Sequence, residues 1–185
     1  MENGLFTGLS HVTFDNSLFM IRAFAIKAGR QGYMDDSRLV KLRDELEKAR
    51  KKRDDWEAKV KDLERRYNEA EKYLGYPYVW GGSSPSTSFD CSGFVSWVIN
   101  HCGNGWNVGR LTADGLKNIC AIIPRSEAKP GDLIFFQGTY NTTGASHVAI
   151  YVGNNMMIHC GNPIQYASID TAYWQAHFYC FGRLP

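Results

Sequence analysis

The sequence predicts an α+β chain in which a cysteine-bearing helix packs on an antiparallel sheet, preceded by a long heptad-patterned helix. Three observations lead there. Between residues 39 and 74, apolar positions recur alternately every three and four residues amid dense charge. A glycine-rich turn, Trp80-Gly81-Gly82-Ser83-Ser84-Pro85, gives way at Cys91 to the apolar run Phe94-Val95-Ser96-Trp97-Val98-Ile99. Further on, Ser146-His147-Val148-Ala149-Ile150-Tyr151-Val152 and Met156-Met157-Ile158-His159 flank Gly153-Asn154-Asn155, which reads as two strands around a hairpin turn. At 185 residues, 44% hydrophobic, the chain can bury one ordinary core but hardly two. A formal charge of +2 is too small to suggest nucleic acid as a partner.

Residues 1–34 form an N-terminal segment to which no element is assigned. Leu18-Phe19-Met20-Ile21 and Phe24-Ala25-Ile26 are apolar, but Arg22 interrupts them and the run is too short to span a bilayer. No basic stretch leads into an apolar one with a small-residue cleavage site, so no signal peptide is visible. Residues 35–74 are expected to form one long charged, coiled-coil-like helix. Residues 35 to 72 hold 13 Lys/Arg and 12 Asp/Glu, which marks a solvated helix. Leu39, Leu42, Leu46, Ala49, Arg53, Trp56, Val60, Leu63, Tyr67, Ala70 and Leu74 make a seam broken only by Arg53. Asp35 and Asp36 suit the start, Gly75 the C-cap, and Pro77 stops continuation. Such a helix would be about 58 Å long at ~1.5 Å per residue, too long to bury its seam on one small domain. Pairing with a second copy or a helical partner through residues 39–74 is the expectation, and an exposed spacer the alternative. Either way the C-terminal domain rides on a stalk.

Residues 75–185 carry the chemistry. Cys91 falls at a helix N-terminus, where unpaired backbone N–H groups and the helix dipole favour a thiolate. Alternation places His147, Ala149 and Tyr151 on one strand face, and Met157 and His159 on one face of the next. A three-residue loop would pair Val152 with Met156 and Ala149 with His159, making His147 and His159 diagonal neighbours. A one-residue slip would separate them. Cysteine, a histidine on a strand, then a polar residue on the neighbouring strand is the working order of a papain-type site. Cys102, Cys120, Cys160 and Cys180 show no metal-ligand spacing and read as packing residues, and an odd count of five fits one free reactive thiol. Asp132, after Pro130-Gly131, reads as a turn residue entering a strand.

Tyr78-Val79-Trp80-Gly81-Gly82 through Phe89-Asp90-Cys91-Ser92-Gly93-Phe94 resembles the signature of the NlpC-type cell-wall peptidases. Lys129-Pro130-Gly131-Asp132-Leu133-Ile134-Phe135-Phe136, His147 to Gly153, and Ile158-His159 continue it in the family's order. The likeness spans roughly residues 72 to 184. It implies a papain-like α+β domain and hydrolysis of the bond between γ-D-glutamate and the diamino acid (diaminopimelate or lysine) in peptidoglycan stem peptides. By motif matching, Cys91 is the nucleophile, His147 the base and His159 the orienting residue. Tyr78, Asp90 and Ser92 match positions that line the substrate pocket and hold the free amine of an N-terminal L-alanine. The loop Ser83 to Ser88 is about one residue longer than the pattern, and Gly109-Arg110 stands where the family tends to have Pro-Arg, which makes Arg110 a further pocket residue. No metal or organic cofactor is implied.

The family acts outside the cytoplasm, so an extracellular or cell-envelope location in a bacterium follows from the resemblance. The peptidase half most resembles modules carried by mobile elements of Gram-positive bacteria. Two other classes compete with the endopeptidase: a catalytically silent wall-binding scaffold that gathers partners through the helix, and a thiol amidase or acyltransferase on the same architecture.

Overall fold

The computed structural model describes residues 36–185, so the apolar runs between residues 18 and 26 lie outside it. Helix α1 spans Asp36–Glu71. A turn to Gly75 follows, where φ is +86° and the N–H donates to the Ile164 carbonyl at 2.9 Å. Short strands β1 (Ser83–Ser84) and β2 (Ser88–Phe89) lead into α2 (Cys91–His101), then α3 (Ala113–Asn118) and β3 (Ala121–Ile123). The remaining elements are β4 (Leu133–Phe136), β5 (His147–Gly153), β6 (Met156–Cys160), β7 (Ile164–Ser168), α4 (Ala172–His177) and β8 (Phe178–Arg183). Six strands form one antiparallel sheet in the order β3-β8-β4-β5-β6-β7.

Helix α2 owes its place to one stripe of side chains. Phe94, Val95, Val98 and Ile99 are all at most 1% exposed and pack against Val148 and Ile150 of β5 and Ile158 and Cys160 of β6. Burying each such side chain contributes about 1.5–3 kcal/mol. The opposite sheet face holds Ile134, Phe136, Ala149, Met157 and Phe181, with Trp174 of α4 against it. Alternation along β4, β5 and β6 therefore feeds two cores, one per face.

The β5–β6 hairpin differs from the expected loop in one respect. The turn is two residues, Asn154 and Asn155, at φ 50° and 55°, the left-handed geometry that asparagine tolerates. Gly153 rather than Val152 pairs with Met156, and the register shifts between Tyr151 and Gly153. Beyond this bulge the register matches expectation: Tyr151 pairs Met157 and Ile150 pairs Ile158. A bulge inserts one unpaired residue without turning the later side chains over. That keeps the two histidines on one face.

The chain divides into two compact units between Lys59 and Val60, inside α1. Within the second unit the last turns of α1 are packed. Leu63 lies over Gly131, so closely that a Cβ there would come within 2.0 Å of Leu63 Cδ2. Tyr67 joins the core, Ala70 is buried, and Trp97 Nε1 of α2 donates to Tyr73 Oη at 2.8 Å. Leu63, Tyr67 and Ala70 of the seam thus pack within the second unit. Asp132, 5% exposed, receives two hydrogen bonds from Arg183, each 2.7 Å, and also accepts from Lys129 N at 2.7 Å.

Candidate active site

Two glycines and a carboxylate fix the start of α2. Asp90 is its N-cap, with extended backbone (φ −93°, ψ 179°), and its side chain accepts from Gly93 N at 2.6 Å. Gly93 cannot carry a side chain, because a Cβ there would lie 2.1 Å from the Gly82 carbonyl oxygen. Gly82 is equally confined, its virtual Cβ 2.6 Å from the Ser88 oxygen. The glycine-rich turn is therefore pressed onto the first turn of the helix that begins with Cys91.

Cys91 is 6% exposed. Its side chain packs in the same core cluster as Val148 of β5, and the backbone N–H groups of Val148 and Ser92 lie near enough to favour its anion. Burial, reinforced by the Asp90 charge, raises the thiol to about 11, and these N–H groups and Arg110 only partly offset the rise. The helix N-terminus is present as expected, yet desolvation outweighs it, and the resting side chain is a thiol.

The strand that carries His147 is anchored at its entry. Asp114 Oδ1 of α3 accepts from Ala145 N at 3.0 Å, the chief cause of its lowered carboxyl pKa, and Ser146 N donates to the Phe136 carbonyl at 2.8 Å. His147 Nε2 and His159 Nδ1 stand 3.0 Å apart, with the rings at 80°. Both residues are buried, at 8% and 5% exposure. Burial holds His147 down to about 3, with His159 adding to the effect, and burial holds His159 down to about 4. Both rings are neutral at physiological pH. When His147 Nε2–H is the donor to His159, His147 Nδ1 keeps the lone pair a base needs.

The polar residues expected beside Cys91 also converge. Asp90 Oδ1 accepts from Ser92 Oγ at 3.0 Å, and Asp90 Oδ2 accepts from Gly81 N at 3.1 Å and from Arg110 Nη2 at 2.6 Å. Arg110 Nη1 reaches Ser92 Oγ at 3.0 Å and also the Leu111 carbonyl. Burial raises the Tyr78 phenol above its ordinary value, and the nearby Asp90 carboxylate, with Cys91 when ionised, adds to the rise. The Tyr78 backbone N–H meets Asn162 Oδ1 at 3.3 Å. Among the described residues no group of three or more His, Cys, Asp or Glu is placed to hold a metal ion. All five cysteines are free, and Cys160 Sγ donates to the Phe89 carbonyl at 3.2 Å, away from His159.

Two aromatic features have no warning in the local pattern. Trp174 of α4 stacks on His147 (centroids 5.2 Å, 27°), meets His159 edge-on (5.3 Å, 89°) and touches Phe136 at 4.5 Å. It is the group that shields both imidazoles from water on that side. Tyr140, in the β4–β5 loop, packs edge-to-face on Trp80 at 5.2 Å, and its phenol is raised by burial, then by Cys91 and Asp90. The only sequence hint is an aromatic doublet, Tyr173-Trp174, following Thr171, which caps α4.

Known proteins match the same stretch of chain. The model of the NlpC/P60 family matches residues 75–183. The bifunctional muramidase/DL-endopeptidase CwlT of Bacillus subtilis is 44% identical over 117 residues, covering 63% of this chain and 35% of CwlT. The murein DD-endopeptidase MepH of Escherichia coli is 41% identical over 116 residues, 60% of this chain and 42% of MepH. This chain thus spans well under half the length of either relative. A crystal structure of an NLP/P60-family protein from Staphylococcus aureus, described as similar to lipoprotein, superposes with TM-score 0.63. It is 42% identical and covers 66% of this chain and 41% of that one. With its motifs, fold and family match all falling on the same residues, the chain belongs to the NlpC/P60 family.

Proposed function

We propose that the chain is a peptidoglycan hydrolase, a cysteine endopeptidase that cleaves stem peptides between γ-D-glutamate and the diamino acid. The observation that carries this reading is the buried imidazole pair, 3.0 Å apart, at the start of the strand whose next residue, Val148, packs in the same core as Cys91. Cys91 is the nucleophile and His147 the general base. His159 engages His147 Nε2, leaving Nδ1 to take the thiol proton as sulfur attacks the γ-glutamyl carbonyl. A neutral thiol and a neutral imidazole fit proton transfer during attack rather than a standing ion pair. N–H groups of the first turn of α2 are oriented to stabilise the oxyanion. His147 then protonates the departing amine, and water hydrolyses the thioester. Tyr78, Asp90, Ser92 and Arg110 line the substrate side.

Relatives carry both DL- and DD-endopeptidase names. The bond is therefore tested directly, by mass spectrometry of muropeptides released from diaminopimelate-type and lysine-type walls by the protein and by Cys91→Ala. Cleavage after D-glutamate by the unsubstituted protein alone supports the reading. Release of D-alanyl cross-links instead would reassign the bond, and release by neither protein would favour a scaffold. The site of action is the cell envelope or its exterior. For the seam, residues 39–60 are the part offered for pairing with a second copy or a helical partner, since Leu63, Tyr67 and Ala70 pack within the second unit. Light scattering on the full chain and on a Leu42→Ser/Leu46→Ser variant tests it: a dimer that the double substitution dissociates supports pairing, and a monomer from both discards it.

A further inference from the structure

On the endopeptidase reading above, attack creates a charge for which the fold holds no counter-ion. As the Cys91 S–H bond breaks, its electron pair forms the carbon–sulfur bond and its proton passes to His147 Nδ1. The ring becomes an imidazolium while the carbonyl oxygen takes the negative charge. Among the described residues no carboxylate is hydrogen-bonded or ion-paired to either imidazole. His147 Nε2 meets His159 Nδ1 at 3.0 Å, and that ring is itself neutral at physiological pH. Asp90 is committed to Gly93 N, Ser92 Oγ and Arg110, and Asp114 to Ala145 N and Lys117.

The face of Trp174 lies where a counter-ion would be useful. Its ring stacks on His147 with centroids 5.2 Å apart and planes at 27°, inside the ~6 Å range over which an aromatic face attracts a cation. Helix α4, which carries the indole, has only six residues and is tied at both ends. Thr171 Oγ1 accepts from Trp174 N at 3.3 Å, and Gln175 Nε2 donates to the Ile169 carbonyl at 2.7 Å. At the far end Gln137 N donates to the His177 carbonyl, and His177 Nδ1 donates to the Gln137 carbonyl, both at 2.8 Å. Phe136, 4.5 Å from the indole and 6.0 Å from His147, fills the angle between them. Any apolar side chain at this position would exclude water. Excluding water raises the cost of an imidazolium, whereas a π face lowers it. An aliphatic cover would therefore shield the pair and hinder the reaction; an indole does the first without the second.

We infer that Trp174 is a positioning residue of this site, whose indole face holds the His147 ring and stabilises the imidazolium formed during attack, in place of a carboxylate. The attraction is strong only while the ring is charged. It therefore lowers the barrier to attack and leaves substrate binding alone.

Trp174→Leu keeps an apolar cover and removes the π face. Its kcat on a stem peptide should fall about 10- to 30-fold with KM unchanged, the size of one desolvated cation–π contact. Trp174→Phe restores a weaker face and should lose only about threefold. Circular dichroism checks that both variants fold, and fluorinated tryptophans decide the matter if they do not, because fluorine drains density from the ring face with little change in bulk. Introduced at all five tryptophans, the mono-, di- and trifluoro forms should lower kcat stepwise. In Trp174→Phe, where Trp56, Trp80, Trp97 and Trp106 alone carry fluorine, they should not. Alkylation of Cys91 by iodoacetamide at neutral pH, followed by mass spectrometry, repeats the proton transfer without substrate: sulfur displaces iodide and the thiol proton passes to His147. Its rate should fall in the same steps. A flat fluorine series, or one equally steep in Trp174→Phe, overturns the inference, as does a folded Trp174→Leu with unaltered kcat and alkylation rate. Walls and peptides left uncut while alkylation follows the fluorine would instead remove the endopeptidase reading and leave the contact standing.

Discussion

Acid should destabilise this fold well before its carboxylates titrate, and the imidazole pair sets the size of the effect. A histidine with a pKa of 6.5 in the unfolded chain and about 4 in the native one binds protons preferentially when unfolded, so its contribution is complete above pH 6.5 and is lost as pH falls toward 4. Between pH 7 and pH 5 the linkage for His159 amounts to about 2 kcal/mol, taking 1.36 kcal/mol per pKa unit. His147, held to about 3, adds a similar amount, so the pair removes roughly 3–4 kcal/mol over that interval. Against a typical domain stability of about 5–15 kcal/mol, this is a large fraction. Equilibrium urea unfolding at pH 7, 6 and 5, followed by far-UV circular dichroism, reads it directly, and His159→Gln keeps polarity while removing one titrating group. About half the pH dependence should disappear in that variant. A stability that stays flat from pH 7 to 5, or a slope unchanged by His159→Gln, would refute the argument that burial keeps these rings neutral.

Three further outcomes are expected. Trp174→Ala exposes both imidazoles, so stability at pH 7 should fall by about 3 kcal/mol while the loss between pH 7 and 5 becomes smaller, both measured in the same urea series. Gly93→Ala forces a methyl to within 2.1 Å of the Gly82 oxygen; a loss of about 2–4 kcal/mol is expected, visible as a lower urea midpoint. His159→Gln leaves Cys91 and His147 in place but alters the orientation of the base, and kcat on a stem peptide should drop by about 10²-fold with KM little changed. An unaltered kcat would show that His159 is structural only.

Much of the site was legible because it depends on periods and on punctuation. Two-residue alternation put His147 and His159 on one face, and that conclusion survived a wrong turn length because the bulge after Tyr151 absorbed the extra residue. Asp90, Gly93 and Cys91 were readable as a helix start from turn chemistry alone. The charge state of Cys91 was not, since a helix N-terminus is a local feature whereas burial depends on what the sheet brings over it. Arg110 entered by motif matching, and nothing local says that its guanidinium folds back 20 residues to cover Asp90. Trp174 lies 27 residues from His147, and no pattern within α4 marks its partners. The heptad seam was visible in full, while the assignment of Leu63, Tyr67 and Ala70 to the second unit required the fold.

The strand order carries a consequence for how the domain comes to exist. β8 is last along the chain but interior in space, lying between β3 and β4 and pairing Ala121 with Arg183 across 62 residues. Until Phe178–Arg183 is available, β3 has no neighbour and β4 shows a bare hydrogen-bonding edge, the kind of template on which chains join one another. Such distant pairing forms late and slowly. Helix α2 and the β5–β6 hairpin can assemble earlier, but Phe181, which backs Ile134 and shares the apolar layer of Phe136 and Trp174, arrives only with that final strand. A copy interrupted before Phe178 would therefore be a sticky, unfinished sheet rather than a weakened version of the domain, and the proposed peptidase site would be complete only once that sheet is closed.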